Sequence, residues 1–225
     1  MLTALKQKNK YPETVFLGTL TLFCFALSLF RCMYAGTYGY IFLNWNLFLA
    51  FIPWALTTYA VVNPTIHQSK LRVSALVVSW LLFFPNAPYI LTDLFHLRGT
   101  SSMPMWFDLV LILSFAWTGL LFGLLSLWDL EKIVGAQIKP VYIAIGSSVL
   151  LFISSFGVYI GRFLRFNSWD VLREPYSLIH DVSERVIHPF DHPRTWGVTI
   201  FMGLFLNMVY WSLRLIRKEN KLTYA

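Results

Sequence analysis

The sequence predicts an all-α protein, a polytopic transmembrane helical bundle of six spans. Of its 225 residues, 57% are hydrophobic and 13% are charged, and the mean hydropathy is +0.60. Soluble domains contain about 45–50% apolar and about 25% charged residues, so a soluble globular domain is excluded. The apolar content is enough for roughly six segments of about 20 residues, the length that crosses a bilayer. We expect one integral-membrane domain over residues 1–225.

Six apolar segments follow one another along the chain. The predicted spans cover residues 14–33, 40–62, 71–97, 106–128, 140–164 and 195–216. The second span ends before Asn63-Pro64, because a proline disfavours helix in the residue that precedes it. Pro85 and Pro88 interrupt the third span. Each removes an amide donor and clashes with an earlier carbonyl, so we expect this helix to be broken.

One long connection, residues 165–194, precedes the last span. Within it the stretch 175–187 predicts an amphipathic helix in the interface plane, lying as a lid over the outer face. Its apolar stripe consists of Leu178, Ile179, Val182 and Val186. The following His188-Pro189-Phe190-Asp191-His192-Pro193 contains possible metal ligands, but its prolines forbid one regular helix. No strong ligand spacing occurs in the sequence, and we expect no metal site.

The positive-inside rule predicts that both termini are cytoplasmic and that the protein is a multi-pass plasma-membrane protein. The inner side then holds eleven cations: Lys6, Lys8, Lys10, Lys70, Arg72, Lys132, Lys139, Arg214, Arg217, Lys218 and Lys221. The outer side holds seven: Arg31, Arg98, Arg162, Arg165, Arg173, Arg185 and Arg194. Because the cations flank apolar segments, the net charge of +7 points to membrane lipids as partners and not to nucleic acid.

The broken third span carries the first candidate site. Asp93 and His96 lie three residues apart beyond the break and would be neighbours on one helical face. Such a pair can act as general base and orienter. It can also simply pin the helix ends, but ionisable groups within a membrane favour a functional role. Asn86 would either satisfy carbonyls that the break frees or offer its amide to a ligand.

Asp108 opens the fourth span, a short loop away from Asp93 and His96. A carboxylate is stabilised at a helix N-terminus, which alone explains the residue. Its closeness to Asp93 and His96 favours a functional role, and we give the two explanations equal weight. We therefore take Asp93, His96 and Asp108 as candidate catalytic residues.

A second polar group lies at the end of the fifth span. Arg162 and Arg165 are three residues apart, and two guanidinium groups on one face suit a phosphate or carboxylate. The alternative is that they extend to the lipid head groups. We expect Arg162 to pair with Asp93 or Asp108. Asn167 and Asp170 either contact the same anion or cap the next helix, and Asn86 completes the candidate anion-binding set.

Three phrases carry a resemblance to a known family. They are Phe84 to Leu97, Trp106-Phe107-Asp108-Leu109 with Ser114 to Gly119, and Gly161 to Asp170. In these phrases the chain resembles domain-of-unknown-function family 1361, integral membrane proteins found chiefly in bacteria. The resemblance runs from about the second span to the last. It implies a multi-span bacterial membrane protein and no particular activity or cofactor.

The leading functional hypothesis is an enzyme that acts at the outer membrane face on a lipid-linked or envelope substrate. Asp93 and His96 would supply acid–base chemistry, Asp108 would orient them, and the arginines would hold an anionic or lipid-linked ligand. All of them are expected to converge on one outer cavity. The alternatives are a transporter, with the broken helix as its gating element, and a structural subunit of an envelope complex without catalysis.

The topology is tested by cysteine labelling. A cysteine placed at Ser101 or Ser177 is expected to react with a membrane-impermeant thiol reagent in intact cells, because both positions are predicted to face outward. A cysteine at Gln137 is expected to stay unlabelled. Labelling at Gln137 alone would invert the scheme and move every candidate site residue to the cytoplasm.

Overall fold

The computed structural model describes residues 2–97, 103–135 and 138–223, and regular structure within these ranges is entirely helical. Six of the described helices are long and apolar enough to cross a membrane: Tyr11–Ala35, Phe42–Val62, Lys70–His96, Met105–Val134, Pro140–Leu164 and Pro193–Arg217. The predicted fold class and the six spans are therefore confirmed. Ser101, Gln137 and the outer cation Arg98 lie outside the described residues.

The helices follow in chain order. They are α1 (Leu2–Gln7), α2 (Tyr11–Ala35), α3 (Phe42–Val62), α4 (Lys70–Phe83), α5 (Asn86–Tyr89), α6 (Met105–Val134), α7 (Pro140–Tyr159), α8 (Asp170–Arg173), α9 (Pro175–Ile187) and α10 (Pro193–Thr223). The chain divides into two compact units, Met1–Ile138 (unit 1) and Lys139–Ala225 (unit 2). Unit 1 contains four of the six spans and unit 2 contains two.

The third span is broken where its prolines predict. Helix α4 ends at Phe83, the single turn α5 follows, and a 3-10 helix covers Ile90–His96. The side-chain amide of Asn86 donates a hydrogen bond of 2.9 Å to the carbonyl of Phe83. Asn86 thus satisfies a carbonyl at the break, the first of the two roles that the sequence suggests for it.

The broken span packs closely against two glycines of α6. A Cβ atom at Gly123 would lie 2.7 Å from the Cβ of Ala87. One at Gly119 would lie 2.7 Å from the Cδ1 of Ile90 and 3.3 Å from the carbonyl oxygen of Ala87. Glycines four residues apart let helical backbones approach closely within a membrane. The kinked segment therefore depends on the absence of side chains at both positions.

Two buried ion pairs join α2 to α6. Lys10 contacts Asp129 at one end, and Arg31 contacts Asp108 at the other. Each helix has the same spacing of 21 residues between its two charges, which corresponds to about 31 Å along a helix axis. The helices are therefore antiparallel, and the pairs are separated by about the thickness of the hydrocarbon core. We call the two ends of unit 1 the Arg31 end and the Lys10 end.

Unit 2 is built on the packing of α7 against α10. A Cβ atom at Gly203 would lie 2.2 Å from the ring of Phe152, so this glycine makes room for the ring. Nearby, the indole nitrogen of Trp211 donates to the hydroxyl of Ser148 at 3.2 Å. The predicted amphipathic helix is present as α9, and the indole nitrogen of Trp196 donates to the Arg185 carbonyl at 3.0 Å. This bond ties α9 to α10.

The glycine contacts on α6 make a stability prediction. Gly123→Ala is expected to destabilise the protein by about 1–3 kcal/mol, because the new methyl group meets Ala87 and neither can move without the backbone. Gly18→Ala is the matched control, since no atom lies within 4 Å of its added Cβ. The measurement is thermal unfolding of both variants in detergent. Equal melting temperatures would contradict the close packing of the broken span.

Candidate functional site

The Arg31–Asp108 pair is the most completely buried charge pair at the Arg31 end. Asp108 has an exposed fraction of 0% and Arg31 one of 3%. The Nε of Arg31 donates to Oδ1 of Asp108 at 2.7 Å, and Nη2 donates to Oδ2 at 3.3 Å. This two-point geometry is the strongest that arginine and a carboxylate form. The guanidinium group that pairs with Asp108 thus belongs to Arg31 of the first span. The sequence analysis counted Arg31 only among the cations that set the orientation in the membrane.

Tyr40 connects this pair to the third span. The Arg31 guanidinium lies over the Tyr40 ring, 4.3 Å from its centroid. The Tyr40 hydroxyl donates to the backbone carbonyl of His96 at 2.9 Å. Arg31 also donates to the Thr37 hydroxyl at 3.4 Å. The start of the second span therefore links the buried ion pair to the segment that carries His96.

Asp93 is held by a residue that sequence reasoning missed. Its exposed fraction is 1%, and Asn46 of α3 donates a hydrogen bond of 2.8 Å to its Oδ2. His96 is exposed, and its ring meets Phe42 edge-on at a centroid distance of 5.1 Å. Residues three apart in a 3-10 helix are eclipsed, so Asp93 and His96 lie on the same side of it. The segment is a 3-10 helix and not the expected α-helix, but Asp93 and His96 still lie on one side of it.

The remaining candidates belong to unit 2. Arg162 is half-buried in a π-helical turn, Ile160–Leu164, and Arg165 follows in a left-handed conformation with φ of 64°. Arg162 and Arg165 therefore do not follow one another on an α-helix, and the α-helical face that we predicted them to share is not formed. Asp170 accepts hydrogen bonds from the backbone and side-chain nitrogens of Asn167 at 2.6 and 3.4 Å. These two residues stabilise the turn that leads into α8.

The Lys10 end carries a second charged cluster, which the sequence analysis did not predict. Lys10 is 3% exposed and contacts both Glu13 and Asp129. Lys132 approaches Asp129 at 3.0 Å, and the Trp54 indole nitrogen donates to Glu13 at 2.7 Å. Between the two ends, the Cys24 thiol of α2 and the Thr118 hydroxyl of α6 form a further polar contact, at 3.4 Å. Ion pairs thus hold α2 to α6 at both ends of unit 1.

The arrangement at the Arg31 end allows proton binding or proton exchange at one exposed side chain. Asp108 and Asp93 are buried and engaged by Arg31 and Asn46, which holds both carboxylates in place. The imidazole of His96 is the exposed titratable group beside them. In the described part of the chain, no three His, Cys, Asp or Glu side chains are grouped to hold a metal ion.

Removal of Arg31 tests the strength of this arrangement. Arg31→Met is expected to lower the stability by about 3–5 kcal/mol, because it leaves the carboxylate of Asp108 buried without its cation. The double variant Arg31→Met/Asp108→Asn is expected to recover part of the loss. Arg165→Met serves as control, since Arg165 is exposed. A single variant that melts like the parent protein in detergent would show that the pair contributes no stability.

Comparison with known proteins adds a family and no activity. No curated protein and no solved structure matches the chain. The family model described as "Protein of unknown function (DUF1361)" matches residues 45–209. This match covers most of the chain, including the broken third span, Asp108 and the arginines after the fifth span, and it agrees with the resemblance seen in the sequence phrases. The chain is therefore a multi-span membrane-type helical protein that belongs to the DUF1361 family.

Proposed function

We propose that the protein acts on a lipid-linked or envelope molecule at the Arg31 end of unit 1, with His96 as the group that meets it. The proposal includes the orientation that the cation bias favours, with both termini in the cytoplasm and the Arg31 end at the outer face of the plasma membrane. An amphiphilic substrate would reach this end from the membrane, with its polar group at the level of the helix ends.

One observation carries the proposal: the exposed imidazole of His96 lies three residues after the buried carboxylate of Asp93 on one 3-10 helix. Imidazole is the side chain that gains and loses a proton near neutral pH, which suits a general base or acid. Asp93 lies on the same side of the 3-10 helix, and Asn46 holds its Oδ2 at 2.8 Å. In this role His96 would touch the substrate, while Asp93 would stabilise the protonated imidazole.

Arg31 does not serve as an anion-binding residue at this end, because it is engaged by Asp108 and its exposed fraction of 3% keeps it from solvent. Unit 2, taken by itself, keeps the anion-binding role that the sequence suggests for Arg162 and Arg165, and Arg165 is exposed. Asn167 and Asp170 shape the turn that follows these arginines.

A second candidate function is a structural subunit of an envelope complex. It is favoured by the pairing of both carboxylates, since Asp93 and Asp108 each have a partner that explains their burial. In that case the polar residues only hold α2, α3, α6 and the broken span together. His96 distinguishes the two, because only an enzyme needs its exposed imidazole for proton transfer.

A lipid analysis separates the two functions. Cells of the source organism that lack the protein are expected to accumulate a lipid-linked species, which is the unprocessed substrate. The parent gene should restore the lipid profile, whereas His96→Ala should not, although its melting temperature in detergent matches the parent. Restoration by His96→Ala, or a deletion strain with an unchanged lipid profile, would reject the enzyme and favour the structural subunit.

A further inference from the structure

An open apolar groove of about 430 Å³ lies on the membrane-spanning part of unit 1. One wall is a stripe of α2 that begins at Thr14 and ends at Phe25, and the other is a stripe of α3 from Leu47 to Trp54. Phe122 of α6 lies between them. The groove lies along the middle of α2, four residues from Lys10 at one end and six residues from Arg31 at the other, and none of Asp93, Asp108 and His96 lines it.

The groove offers almost no polar group to its contents. Its two threonines, Thr14 and Thr21, donate their hydroxyls to the carbonyls of Lys10 and Leu17, both at 2.8 Å. Only their methyl groups are left for the groove. Gly18 widens the same wall, since no atom lies within 4 Å of a Cβ built there. Such a surface suits a hydrocarbon chain and repels a polar solute.

Aromatic rings of Phe51, Trp54 and Phe122 form the floor of the groove. Phe122 meets Phe51 at a centroid distance of 5.5 Å and Trp54 at 5.6 Å. The indole nitrogen of Trp54 is bound to Glu13, so its ring is fixed in place. By contrast the rims are open, because Leu22 is 70% exposed and Phe48 is 50% exposed. A ligand can therefore enter sideways from the bilayer.

The length of the groove matches half a membrane. From Thr14 to Phe25 the helix rises by about 16 Å, close to half of a hydrocarbon core that is about 30 Å thick. Because Thr14 is four and Phe25 is 15 residues from Lys10, the groove extends from about 6 to about 22 Å below the Lys10 end. An acyl chain whose headgroup lies at the Lys10 end would therefore enter the groove within its own leaflet and fill it to the bilayer midplane and somewhat beyond.

Cations stand where the headgroup of that chain would lie. Lys6 and Lys8 are exposed just before α2, and the Lys6 ammonium lies 5.2 Å from the centroid of the Tyr11 ring. Lys10, Glu13, Asp129 and Lys132 form a cluster with no net formal charge. Lys6 and Lys8 thus leave a positive surplus at this end, which attracts anionic headgroups.

We propose that this groove binds one acyl chain of an anionic phospholipid from the leaflet on the Lys10 side, with the headgroup at Lys6 and Lys8. The site is independent of the proposed function, because none of Asp93, Asp108 and His96 lines the groove. A bound lipid of this kind covers a surface between α2 and α3 that no described side chain of unit 1 fills.

Photo-crosslinking tests the proposal on the full-length protein in phosphatidylcholine nanodiscs. The probe is phosphatidylglycerol with a diazirine in the middle of one acyl chain, and crosslinked peptides are identified by mass spectrometry. We expect crosslinks concentrated on α2 between Thr14 and Phe25 and on α3 between Leu47 and Trp54. Gly18→Trp should lose them because the indole fills the groove, whereas Gly146→Trp, equally open around its Cβ, should keep them.

Two further arms make each part of the proposal falsifiable. Thr21→Phe fills the same groove and replaces Gly18→Trp if that variant fails to fold. The variant Lys6→Gln/Lys8→Gln should abolish the preference for phosphatidylglycerol over an equivalent phosphatidylcholine probe. Crosslinks that are no denser here than on the exposed face of α7, or that survive both groove-filling variants, would mean ordinary boundary lipid and overturn the site. Equal crosslinking by the two probes in the parent protein would overturn the anionic headgroup.

Discussion

The close contact between α6 and the broken third span is the constraint on which unit 1 depends. The methyl group of Ala87 and the side chain of Ile90 occupy the space that side chains at Gly123 and Gly119 would fill. The span can therefore bend at Pro85 and Pro88 without leaving a void, because the surface that receives it is flat. Non-helical backbone at membrane depth is tolerated only when it is packed within protein. The position of Asp93 and His96, on the 3-10 helix after the bend, follows from this contact.

Buried charge in this unit is compensated within short distances. Three of the carboxylates in the spans each meet a cation or an amide from another part of the chain: Asp108 meets Arg31, Asp129 meets Lys10, and Asp93 meets Asn46. Ions that are not compensated are costly in hydrocarbon. The three contacts hold α2 and α3 to α6 and to the broken span.

Hydropathy and proline positions were enough to predict the six spans, the break at Pro85 and the helix over 175–187, because these depend on local sequence alone. The partners within the polar network depend on tertiary contacts. Arg31 and Asn46 looked like an orienting cation and an ordinary span residue, and nothing local distinguished them. A signal was nevertheless present: the equal spacing of Lys10 and Arg31 on one helix and of Asp108 and Asp129 on another indicates two matched pairs between antiparallel helices. The spacing of Gly119 and Gly123 likewise marked the contact face of α6.

The pairing of the first span with the fourth has a consequence for biosynthesis. The ribosome must add 77 residues after Arg31 before the carboxylate of Asp108 exists. At about 5–20 residues per second this interval lasts roughly 4–15 s. During it the first span has no partner for its buried guanidinium, which must stay at the lipid headgroups by extending its side chain. Insertion of this protein is therefore ordered in time: its N-terminal helix reaches its final depth only when α6 enters the membrane beside it.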